Sequence, residues 1–171
     1  GQVCELAYPP LRQTARTRGS QKGDVVPDVP LKEKFKLNDA QATAVDAISS
    51  QPGFGAHLLF GVTGSGKTEV YLELLERTLA AGKSGLFLVP EIALTPQLLR
   101  RFSERFGQKI AVIHSQLTDR ERTEQWWSIQ RGEKKILMGA RSAIFCPVPD
   151  LGLVVVDEEH EPSFKQEEKL K

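Results

Sequence analysis

Five short apolar runs punctuate the chain: His57–Phe60, Gly85–Val89, Ile110–Ile113, Ile136–Met138 and Leu153–Val156. Each is nearly continuous instead of alternating, the pattern of strands covered on both faces. Four amphipathic stretches complement them. Asn38 is a capping residue, and Gln41 three positions later completes a capping-box pair ahead of Ala42, Val45, Ala47 and Ile48. Pro52-Gly53 ends that helix. A second helix is predicted from Lys67 to about Ala81, with Gly82 as its stop, and a third over Leu94–Phe106. Thr118, followed by Glu121, caps a fourth that runs through Trp126, Trp127 and Ile129 to Gly132. In that helix one Trp is expected as a core anchor and the other as partly exposed. Strands alternating with helices predict βαβ crossovers and an α/β fold built on a parallel sheet, with helices on both faces.

Residues 1–36 lack this periodicity. Pro9, Pro10, Pro27 and Pro30 interrupt any helix, and Arg12, Arg16, Arg18 and Lys22 make the stretch basic. It reads as a linker or the end of a preceding DNA-binding region, leaving 37–171 as the folded domain. With 171 residues, about one domain is expected. The net charge is 23 − 22 = +1, so any polyanion site must be a local patch. Cys4 and Cys146 form no CxxC pair, which gives neither a zinc site nor a disulfide framework. No apolar run approaches the roughly 20 residues a membrane helix needs, and a cytoplasmic location is expected.

The chemistry begins at Gly61-Val62-Thr63-Gly64-Ser65-Gly66-Lys67-Thr68, which satisfies G-x-x-x-x-G-K-[ST]. Backbone N–H groups can converge on phosphate oxygens only where side chains are absent, and Gly61, Gly64 and Gly66 provide that room. The helix opening at Lys67 aims its positive end at the same anion. Lys67 is placed for the β- and γ-phosphates of ATP, and the Thr68 hydroxyl for Mg²⁺. The last apolar run ends in Asp157-Glu158-Glu159-His160, acids at the edge of a parallel sheet where ligands sit. Asp157 is the candidate Mg²⁺ partner, and Glu158 the group that orients or deprotonates the attacking water.

The phosphate loop together with Asp-Glu-Glu-His resembles the DExH group of superfamily 2 helicases, whose first lobe is a RecA-like phosphate-loop domain. Val89–Gln97, Gly139–Phe145 and Asp157–Gln166 narrow the likeness to the bacterial primosomal replication-restart helicases. Ala140 and Phe164 depart from it, standing where Thr and Tyr are usual. The resemblance implies an ATP-dependent 3′→5′ DNA helicase using ATP and Mg²⁺. It implies adenine recognition by Gln41, and a single-strand DNA path along Pro90, Glu91, Arg141 and Ser142. His160 would couple nucleotide state to DNA, while Phe164 would stack on a base beside Lys165 on phosphate. A core contact is the competing reading of Phe164, and His114-Ser115 lies on the same ligand edge. Zinc is expected in such proteins, on cysteine pairs that this sequence does not contain. Implied partners are single-stranded and forked DNA, primosome proteins and single-strand-binding protein. The resemblance also implies a second lobe that completes the motor, so this lobe alone is expected to bind nucleotide without unwinding DNA. A small-molecule phosphotransferase would share the loop but not the acidic box. A non-catalytic module binding DNA or a protein partner is the remaining alternative.

Overall fold

A computed structural model describes residues 26–32 and 35–158. Four strands form one sheet: β1 (Ser84–Leu88), β2 (Ile110–Ile113), β3 (Ile136–Gly139) and β4 (Leu151–Val156). Their order is β2-β3-β1-β4 and every pairing is parallel. Four helices accompany them: α1 (Asp39–Ser49), α2 (Lys67–Ala80), α3 (Pro96–Phe106) and α4 (Asp119–Gln130). This is the RecA-like α/β architecture that the alternation and the resemblance predict.

The strands bury alternate side chains in two layers. Phe87, Val112, Met138 and Val155 join Tyr71, Leu72 and Leu75 of α2 and Phe102 and Phe106 of α3. Leu86, Leu88, Ala111, Ile113 and Leu137 face the other way, against Ile129 of α4 and Ala143. Helices therefore cover both faces of β1, β2 and β3, where a two-residue period feeds two cores, while β4 buries only Val155, in the first. Rings of Tyr71, Phe87, Phe102 and Phe106 follow one another with centroids 4.8–6.1 Å apart. α1 packs behind α2 through Val45, Val70 and Leu74.

Helix starts follow the caps. Asn38 and Thr118 each form the reciprocal capping box with Gln41 and Glu121. The third helix starts later than its apolar pattern suggests: Thr95 caps it and Pro96 occupies the first turn, so Leu94 lies outside. A short 3-10 turn, Glu91–Ala93, fills the interval. Trp126 and Trp127 are both half-buried and meet edge to face at 4.9 Å, instead of dividing into one buried and one exposed ring.

One predicted strand is absent. His57–Phe60 is extended but joins no ladder. Leu59 packs against the core while Leu58 and Phe60 are 80% and 92% exposed. A strand needs a partner for its backbone groups. Among the described residues, β4 is the sheet's last strand on that side and pairs only with β1. In the region expected to be linker, Val26 is buried in the main core, and the Lys32 backbone N–H donates to the Glu104 carbonyl at 2.8 Å. That part of the stretch is docked on α3.

Candidate functional site

Parallel strands deliver their C-terminal ends to one edge, so the residues that follow them gather there. Pro90 and Glu91 follow β1, His114 follows β2, Arg141 and Ser142 follow β3, and Asp157 and Glu158 follow β4. The approach of β3 to β2 at that edge requires Gly139. A Cβ there would lie 2.5 Å from the Ile113 carbonyl oxygen. Arg141 is exposed and Ser142 half-buried on the 3-10 turn Arg141–Phe145, which Ala143 anchors by burial.

The loop Gly61–Thr68 joins the extended segment to α2. Gly64 and Gly66 adopt φ of +82°, which favours glycine, and Gly66 is the N-cap. Caps differ among the helices. Asn38, Thr95 and Thr118 each present a side-chain oxygen to the first turn of α1, α3 and α4, whereas α2 has no side-chain cap. The Glu69 N–H donates to the Gly66 carbonyl at 2.9 Å, which leaves the Lys67 and Thr68 N–H groups ahead of it for another acceptor, at a helix end that favours anions. Lys67 Nζ donates to the carbonyls of Gly61 at 2.6 Å and Val62 at 3.4 Å, lying across the loop's mouth. A Cβ on Gly61 would come within 2.6 Å of Ser65 Oγ, so a side chain there would have to turn the serine hydroxyl aside. Val62, Thr63, Gly64 and Ser65 are exposed at its rim.

Gln41 is wired to this loop. Its Oε1 accepts from the Asn38 backbone N–H at 3.0 Å, and its Nε2 donates to the Ser65 and Gly66 carbonyls at 3.3 and 3.4 Å. Both ends of the amide are thus engaged, while Oε1 keeps a second lone pair.

Asp157 is placed by its backbone, whose N–H donates to the Leu88 carbonyl at 2.9 Å and continues the β1–β4 ladder. Its Oδ1 accepts twice, from the Tyr71 hydroxyl at 3.2 Å and from the Glu158 N–H at 3.1 Å. Burial, reinforced by the charge of Asp157 and this hydrogen bond, holds the Tyr71 phenol well above its ordinary range, so it remains a donor. Glu158 has φ +51°, a left-handed conformation unusual for a non-glycine residue and of the kind that concentrates at functional sites. Tyr71 was not among the residues that the sequence patterns single out. The available signal was its spacing: three residues after Thr68, it shares that residue's helix face.

Nucleotide-bound Mg²⁺ takes oxygen ligands, typically one or two from protein with the rest from phosphate and water. A hydroxyl at Thr68 and a carboxylate at Asp157 match that donor set. Among the described residues no cluster of three or more His, Cys, Asp or Glu could hold a metal by itself. Cys146 is the described cysteine. Burial pushes its thiol up to about 12, so it stays protonated at neutral pH.

Glu91 turns toward β2. Its carboxylate accepts from the Ser115 backbone N–H at 2.8 Å, and His114 Nδ1 accepts from the Gln116 N–H at 3.3 Å. Hydrogen bonds from the Ser115 side chain and backbone, with His114 nearby, lower the Glu91 pKa below its ordinary value. Glu159, His160, Phe164 and Lys165 lie outside the described residues.

α2 and α3 are strapped together beneath the site. Arg105 Nη2 meets Glu73 at 3.0 Å and Glu76 at 2.7 Å, and Arg101 Nε donates to the buried Glu69 at 3.1 Å. No described helix is long and apolar enough to cross a membrane.

Comparison with known proteins agrees with this geometry. The profile of the DEAD/DEAH box helicase family matches residues 38–171. The chain is similar to the replication restart protein PriA of Bacillus subtilis (strain 168), being 50% identical over 139 residues that cover 80% of this chain and 17% of that protein. PriA of Chlamydia trachomatis serovar D is 49% identical over 144 residues, 82% of this chain and 18% of that protein. PriA of Haemophilus influenzae is 46% identical over 142 residues, 83% of this chain and 20% of that protein. The chain thus spans about a fifth of the length of the curated relatives it matches. A matching profile over most of the chain, a phosphate loop ahead of an uncapped helix and an aspartate at a parallel strand's end lead to one assignment: the chain belongs to the DEAD/DEAH box helicase family.

Proposed function

We propose that this chain supplies the nucleotide-binding lobe of an ATP-dependent 3′→5′ DNA helicase that works in replication restart and primosome assembly. The observation that carries the reading is the uncapped N-terminus of α2 beneath a glycine cradle, with Lys67 lying across the cradle's mouth. An incoming phosphate would take over Lys67 from the Gly61 and Val62 carbonyls and satisfy the first-turn N–H groups. Thr68 and Asp157 would hold Mg²⁺, which supplies charge neutralisation at the β- and γ-phosphates when bound. Glu158 would orient water and Gln41 the adenine. These roles rest on the motif and on the family.

Pro90, Glu91, Arg141 and Ser142 supply the DNA-facing positions in this reading, with His160, Phe164 and Lys165 assigned by resemblance alone. Arg141 and Ser142 would meet backbone phosphates and carry no sequence information. Primosome proteins and single-strand-binding protein are the proposed partners, and the cytoplasm, at the nucleoid, the proposed location. The PriA proteins it resembles are named for replication restart, which supports the pathway assignment.

One lobe provides half of the charge stabilisation that phosphoryl transfer needs, because an arginine finger comes from elsewhere. The chain by itself is therefore expected to bind nucleotide with negligible turnover. Phosphate release measured with and without single-stranded DNA checks this. A turnover that rises several-fold on adding DNA would contradict it and show that the lobe, or a dimer of it, is a complete site.

A further inference from the structure

Tyr71 and Asp157 lie 86 positions apart in sequence, on different elements, and meet beside the proposed cation. The ring of Tyr71 is buried and packs on Phe87 with centroids 5.7 Å apart, so its hydroxyl has a fixed position. Its helix is the one that the phosphate loop opens, and Thr68 precedes it by three residues on the same face. The Asp157 carboxylate reaches the other end of the bond from a backbone locked to β1.

We infer that Tyr71 is a positioning residue for the metal site: by donating to Asp157 Oδ1 it selects the carboxylate rotamer, leaving Oδ2 for the cation or its water. This rests on the nucleotide reading above. Oδ1 is engaged twice, by the phenol and by the Glu158 N–H, whereas among the described residues no hydrogen bond uses Oδ2. At 3.2 Å the phenol bond is long, enough to bias a rotamer that a bound cation then exploits. Outer groups that orient ligating carboxylates typically change metal affinity about 10- to 100-fold when removed. The length of this bond places Tyr71 at the low end. The same bond couples the phosphate-loop helix to the end of β4, so a shift of α2 on phosphate binding would be felt at Asp157.

Tyr71→Phe keeps the ring and removes the donor. Binding of a fluorescent ADP analogue to the chain, followed in EDTA and then across a Mg²⁺ titration, separates the two roles. The expected result is nucleotide affinity in EDTA within about twofold of the parent, and a Mg²⁺ midpoint raised about tenfold. Equal midpoints for parent and Tyr71→Phe, with Asp157→Asn shifted, overturn the inference and leave the nucleotide reading standing. Lost affinity in EDTA also overturns it, since the hydroxyl would then serve the fold. A parent chain that binds no nucleotide in either medium sinks both. Should Tyr71→Phe fail to fold, 3-fluorotyrosine at this position reads the contact without a substitution. Its fluorine resonance should move when Mg²⁺ joins the nucleotide complex and stay in place in Asp157→Asn, and a resonance unmoved in the parent contradicts the proposal.

Discussion

Strands β3 and β4 are written in nearly the same alphabet and end in opposite situations. Ile136, Leu137 and Met138 are fully buried, whereas in β4 Val155 is buried while Val154 and Val156 remain 48% and 45% exposed. Both runs belong to one parallel sheet, and both deliver functional residues to its C-terminal edge. The difference lies in their neighbours. β3 lies between two strands and beneath α4, while β4 pairs on one side only and α4 packs over β2 at the sheet's far end. An apolar run records that a strand expects cover on both faces, and does not identify what provides it. The closed side supplies rigidity, and the open side carries Asp157 and the neighbouring loop.

Substitutions should reproduce this contrast in size. Phe87→Ala, at the centre of the aromatic column, should cost about 3–5 kcal/mol in chemical denaturation, the usual loss for a large ring in a close-packed interior. A value under 1 kcal/mol would show that the closed side is no better packed than the open one. Arg105→Ala, which removes the nearly buried cation that ties Glu73 and Glu76 of α2 to α3, should cost about 2 kcal/mol by the same measurement. Val154→Ala, on the open side, should stay within about 0.5 kcal/mol.

Glu91→Gln tests the edge between them and carries a pH signature. The Glu91 pKa is lowered in the fold, so the charge-dependent part of its bond to Ser115 is present above the ordinary carboxylate range. It is lost as pH falls through the folded value. The parent should therefore exceed Glu91→Gln in stability at pH 7, and the gap should shrink as pH falls below the ordinary carboxylate range. A gap that stays the same over that fall would remove the charge from the account.

Much of this was readable from residue order. The caps at Asn38 and Thr118, four of the five strands and the whole phosphate loop follow from local chemistry, which the chain carries within a few residues. What was not legible depends on distant partners. His57–Phe60 has strand composition, but a ladder needs a second strand alongside. Val26 sits in a proline-interrupted stretch without periodicity, and its burial is decided by α3. The start of α3 was misjudged for a nearer reason: the apolar pattern reaches Leu94, yet Thr95-Pro96 is the stronger signal. Tyr71 shows the same limit at the site. Its spacing from Thr68 was visible, and its meeting with Asp157 needed the sheet order.

The central claim is that the uncapped α2 terminus and its glycine loop hold a nucleotide's phosphates. Titration calorimetry of ADP with Mg²⁺ into the chain and into Lys67→Ala tests it most directly. The account predicts saturable heat from the parent and at least tenfold weaker binding, or none, from Lys67→Ala. Equal heats from the two proteins would contradict it.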